Sequence, residues 1–118
     1  MILCSGKIYH ELQASPLRAA RTDLAIGRVE MLYPFPQNEL RELLAGYPEL
    51  ERIVWVQEEP MNMGAWDFIW PHITDRVLSA GVVLEYQGRD RRASPSEGYP
   101  QAHQAEQERI LTAALGTD

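Results

Sequence analysis

Ile53-Val54-Trp55-Val56, running straight into Gln57-Glu58-Glu59-Pro60, decides how this chain folds. Four apolar residues in a row, mostly β-branched, form a strand that is covered on both faces, the signature of a parallel sheet. On its N-terminal side, residues 37–45 carry Leu40, Leu43 and Leu44 on one helical stripe that stops at Gly46, a fitting residue after a helix end. On its C-terminal side, residues 64–79 place Trp66, Ile69, Trp70, Ile73 and Val77 along one helical face, and Val82–Tyr86 forms a further strand. Further out, Ile2-Leu3-Cys4 is a short strand, and Ile8, Tyr9 and Leu12 share one side of a helix. Ser15-Pro16 restarts the chain as a short second turn through Arg21, because Ser caps and Pro suits the first helical position. Leu24–Val29 is a strand buried on both faces. Pro34-Phe35-Pro36 bars regular structure. Gly88–Tyr99 is a long polar loop, and residues 101–115 form a last helix ending at Gly116. Strands separated by crossovers of this length are parallel and right-handed. The expected fold class is therefore α/β: a three-layer α/β/α domain on a small, doubly wound parallel sheet of four strands, with the first strand central.

The 118 residues make one domain, 1–118, and not two. Apolar residues are 45% of the chain, enough for a core without disulfides or metals. A formal charge of −6 excludes a general nucleic-acid backbone binder, and no apolar run approaches a membrane span of about 20 residues. The single cysteine, Cys4, is read as a small buried apolar residue in a protein of a reducing compartment. Met1 leads directly into the first strand, so no secretory signal is expected, and a segment cut from a longer polypeptide is.

Ligands of doubly wound sheets gather beyond the carboxyl ends of the strands, at the switch point. Ser5-Gly6-Lys7 after the first strand resembles an anion-binding nest, although Ile8 after Lys7 departs from a phosphate-binding loop. The alternative is that Lys7 pairs with Glu58 or Glu59 across the switch point. Glu58 and Glu59 could serve as an acid/base pair only if the strand has already ended, since successive strand side chains face opposite ways. His10, His72 and His103 fall on different helices and form no metal-ligand set. His103 shares a packed stripe with Gln107, Ile110, Leu111 and Ala114, which suits a hydrogen-bonded structural histidine. Trp66 and Trp70 are core residues on this reading, and Phe68 with Ala65 and His72 lies on a different, more exposed face. Pro71 inside the helix would cost about 3 kcal/mol unless the helix kinks or restarts there. Arg89, Arg91 and Arg92 with Asp90 form either a solvated loop or a dock for an acidic or phosphorylated group.

Several blocks, in order, carry a resemblance. Ile2-Leu3-Cys4-Ser5-Gly6-Lys7-Ile8-Tyr9, then Arg28-Val29-Glu30 with Leu32-Tyr33-Pro34-Phe35-Pro36, then Trp55-Val56-Gln57-Glu58-Glu59-Pro60 with Asn62, Gly64, Ala65 and Trp66 make up the first three. Gly88-Arg89, Ala93-Ser94-Pro95, Gly98-Tyr99, and His103 with Gln107 complete them. The chain resembles the C-terminal domain of 2-oxoglutarate dehydrogenase from Ile2 to Leu115. Met63, Pro71 and Arg91-Arg92 depart from that pattern. The resemblance implies a transketolase C-terminal-domain-like fold. It also implies a full-length oxidoreductase of the tricarboxylic acid cycle that decarboxylates 2-oxoglutarate on thiamine diphosphate with Mg. That enzyme passes the succinyl group to a lipoyl arm of the dihydrolipoyl succinyltransferase complex. This segment would be a supporting domain, inactive alone, with no catalytic, cofactor or metal residue of its own. Its partners would be the rest of its polypeptide and a homodimer mate, with neither nucleic acid nor membrane among them. Its place would be the bacterial cytoplasm, or the mitochondrial matrix in a eukaryote. The family's additional antiparallel strand, upstream, would cover the Leu24–Val29 edge, which is otherwise unpaired. Ser5, Gly6, Lys7, Glu58, Glu59, Asn62, Trp66, Arg89, Ser94 and His103 are the residues expected at the switch point or an interface. A stand-alone anion- or nucleotide-binding module using Ser5-Gly6-Lys7 is the competing expectation, and a small hydrolase using Glu58 and Glu59 a third.

Overall fold

A computed structural model of the chain describes residues 1–91 and 100–116. Its elements are β1 (Ile2–Cys4), α1 (Ile8–Ala14), α2 (Pro16–Ala19), β2 (Ile26–Arg28), α3 (Gln37–Ala45), β3 (Arg52–Pro60), α4 (Trp66–Arg76), β4 (Val83–Arg89) and α5 (Pro100–Leu115). The four strands form one sheet in the order β2-β1-β3-β4, and every pairing is parallel. β1 is central, and the order reverses between β1 and β3, which puts the switch point beside Ser5 and Gln57. This is the three-layer α/β architecture that the alternating apolar runs predict.

Strand alternation divides the core in two. Leu3, Ile53 and Trp55 point toward α3 and α4 and pack with Leu40, Leu44, Ile69 and Ile73. Ile2, Cys4 and Val56 point the other way, onto Ile8 and Leu12 of α1 and Ile110, Ala114 and Leu115 of α5. Ser15 accepts a hydrogen bond from the Leu17 N–H at 3.2 Å and Pro16 opens α2, as that dipeptide predicts.

Several boundaries differ from the sequence expectation. β2 pairs over Ile26–Arg28 only and is not buried on both faces: it is an edge strand, Ile26 is half-buried and Arg28 is exposed. β3 runs past Val56 to Pro60, with an irregularity in its pairing to β4 between Val56 and Pro60. α4 is shorter than residues 64–79 and is continuous through Pro71. Trp70 lies outside the core, 44% exposed, because it falls at the margin of the arc that Ile69, Ile73 and Val77 bury. Phe68 is half-buried and stacks on His72 with ring centroids 4.3 Å apart. Gly46 ends α3 with an ordinary right-handed φ of −73°, so its glycine freedom is not used there. β4 continues to Arg89, so Gly88 and Arg89 belong to the sheet and not to a solvated loop. Arg92 and Ser94 lie outside the described residues.

Candidate functional site

At the carboxyl ends of the strands, Gly6 takes a left-handed φ of 79°, a conformation that favours glycine. That N–H, the donor a bound anion would need, is occupied from within. Glu30, just beyond β2, accepts from Gly6 at 2.7 Å through Oε1 and at 3.2 Å through Oε2, and Ser5 Oγ lies 3.5 Å from the same carboxylate. Lys7 reaches Glu11 at 3.0 Å and Glu58 at 3.1 Å. Those two carboxylates, Glu11 first, hold the Lys7 ammonium above the ordinary lysine range. Burial alone would raise the Glu11 carboxyl, but the Gln107 amide and Lys7 outweigh it and hold the group below its usual range. The chain's own acid fills the nest on which the nucleotide-module expectation relies. An anion at Gly6 would have to displace Glu30, so the geometry gives that expectation no support.

Glu58 and Glu59 lie inside β3, which has not ended, so they do not converge. Glu58 is half-buried against Lys7 and accepts from Gln107 Nε2 at 3.2 Å, while Glu59 is exposed. Gln107 is 8% exposed and also donates to Glu11 at 2.7 Å; its Oε1 is buried with no hydrogen-bond partner among the described residues. On the neighbouring strand Arg89 is 2% exposed, contrary to the expected solvated cluster, and its Nη2 sits 3.0 Å from Nδ1 of the half-buried His103. Arg91 forks onto Asp67 at 3.0 and 3.2 Å, which raises its guanidinium further above its ordinary value. Arg89 and Arg91 are thus not one basic patch: Arg89 points toward α5 and Arg91 engages α4.

The opposite side of β3 is organised by Gln57, a residue that earns its place by burial among apolar neighbours. Its Oε1 accepts from Trp55 Nε1 at 2.8 Å and from the Trp66 backbone N–H at 3.1 Å. Its Nε2 donates to the carbonyls of Glu59 at 3.1 Å and Pro60 at 2.9 Å. One side chain thereby fixes the turn 61–65, which carries exposed Asn62, and satisfies a free N–H at the start of α4. A β-carbon on Gly64 would lie 2.7 Å from the Gln57 amide, and one on Gly88 would lie 2.8 Å from the Gln57 carbonyl, so both positions need glycine. Trp66 opens α4 with its ring 5.3 Å from Tyr86, whose hydroxyl donates to Arg89 O at 2.7 Å. Burial pushes the Tyr86 phenol up to about 12.

The structure therefore brings Ser5, Gly6, Lys7 and Glu58 together at the switch point, places Arg89 with His103 one strand further, and leaves Glu59 and Asn62 on the surface. Reasoning from sequence missed Glu30 as the acid in the nest, Glu11 as the partner of Lys7 four residues away, and Gln57 as the organiser of the turn. The i, i+4 spacing of Lys7 and Glu11, and the period of two from Trp55 to Gln57, were the available signals. Beside these residues lies a cleft of about 430 Å³, lined by Leu32, Trp55, Gln57, Gly64, Ala65 and Phe68 among others. Exposed Met31, Tyr33 and Met63 lie on the two turns that contribute to it, Tyr33 at 87% exposure.

The family model described as "2-oxoglutarate dehydrogenase C-terminal" matches residues 1–115. The chain is 50% identical over 117 residues to the 2-oxoglutarate dehydrogenase E1 component of Shouchella clausii, and 46% identical over 117 residues to that of Bacillus subtilis. With that of Azotobacter vinelandii the identity is 45% over 118 residues. Each alignment takes in 98% of this chain but 12% of the relative, so the chain spans about an eighth of the length of these curated relatives. With a match over nearly its whole length, and a four-stranded parallel sheet of the kind its sequence predicts, the chain belongs to the 2-oxoglutarate dehydrogenase C-terminal family.

Proposed function

We propose that the chain serves as the supporting C-terminal domain of a 2-oxoglutarate dehydrogenase E1 component, with the reacting groups elsewhere in that polypeptide. The observation that carries this reading is the Glu30 carboxylate on the Gly6 N–H. The place where a doubly wound sheet holds its ligand is closed by an internal contact, and Lys7, the nearest cation, is engaged by Glu11 and Glu58.

In the full-length enzyme of this reading, thiamine diphosphate supplies the electron sink for decarboxylation. The residues described here do not fit it. A diphosphate would have to displace Glu30, and no group of three or more His, Cys, Asp or Glu among them is arranged to hold the accompanying metal. No step is therefore assigned to this chain. The succinyl group passes to a lipoyl arm of the dihydrolipoyl succinyltransferase, and the enzyme works as a homodimer within that complex in the cytoplasm. Among the described residues, no helix is long and apolar enough to cross a membrane.

The surface that meets the rest of the enzyme is, on this reading, the carboxyl end of the sheet. There the Gln57-fixed turn 61–65 and the Met31–Tyr33 turn present apolar side chains beside a cleft, and exposed apolar side chains gathered together mark contact surfaces. The test is replacement in a relative. Removing the matching C-terminal segment from the Bacillus subtilis E1 component should abolish its assembly and turnover. Putting this chain in its place should restore both. A truncated enzyme that assembles and turns over normally would overturn the proposal.

A further inference from the structure

We draw no further inference here: the strongest candidate, the cleft at the carboxyl end of the sheet between the Met31–Tyr33 turn and the turn 61–65, belongs to the contact surface already described, and nothing in the structure shows what covers it.

Discussion

Gln57 is an amide placed among apolar side chains, and each of its polar atoms has a partner: an indole N–H, a helix-start N–H and two carbonyls. Removing it strands the buried Trp55 Nε1–H, so Gln57→Ala should destabilise the chain by about 2–3 kcal/mol, read as a lower urea midpoint. Conversion to leucine should not recover that loss, because volume is not what is missing. The residue was half legible: period-two alternation puts it on the Trp55 side of β3, but nothing in a single sequence says which turn its amide closes. Glu30 was less legible still, because the contact to Gly6 spans 24 residues and exists only once β1 and β2 are side by side. Glu11 gives a pH dependence with a fixed sign. Its folded carboxyl titrates below its unfolded value, despite burial acting in the other direction. It therefore contributes stability that is present above the unfolded carboxyl range and lost as pH falls through the depressed folded value. In Glu11→Gln the acid limb of a stability-against-pH curve should flatten, with a loss of about 1 kcal/mol or less at neutral pH because the pair is partly solvated. Burial likewise pushes the Cys4 thiol up to about 12, first through desolvation and then through Glu30. A disulfide reagent at pH 8 should leave it untouched in the folded chain and modify it promptly in urea.

The helices and strands themselves were largely legible because each carries one clear apolar period. Their ends were not. α4 shows why: the stripe from Trp66 to Val77 continues, but the helix stops at Arg76 and Trp70 falls off the margin of the buried arc. Pro71 was expected to kink or restart α4, yet the helix is continuous through it, leaving the Asp67 carbonyl without its usual intrahelical donor. Pro71→Ala should restore that bond and raise stability by about 1–2 kcal/mol, since the interior-proline penalty exceeds the gain in unfolded-chain entropy. The check is the thermal midpoint of both chains. β4 was read as too short because Gln87-Gly88-Arg89 looks polar. It continues because Gly88 allows close approach to the Gln57 carbonyl, and Arg89 points toward α5. At the other side of the sheet, Ile110 is fully buried between α5 and β1/β3, and Ile110→Ala should cost about 2–5 kcal/mol by the same readout.

For the molecule as a whole, two apolar clusters on either face of a four-stranded parallel sheet account for the fold. That level was the most legible, since alternating strand and helix periods admit few other arrangements. Function at this scale rests on what the carboxyl end of the sheet holds, and the sequence could not show that the anion nest closes on Glu30. The central claim is that this chain supports a reaction carried out by other parts of the E1 component. Its most direct test is to supply the purified 118-residue chain with 2-oxoglutarate, thiamine diphosphate and magnesium, and to follow carbon dioxide release together with the heat of cofactor binding. The account predicts neither turnover nor saturable binding of thiamine diphosphate; decarboxylation above the protein-free rate, or tight cofactor binding by the chain alone, would contradict it.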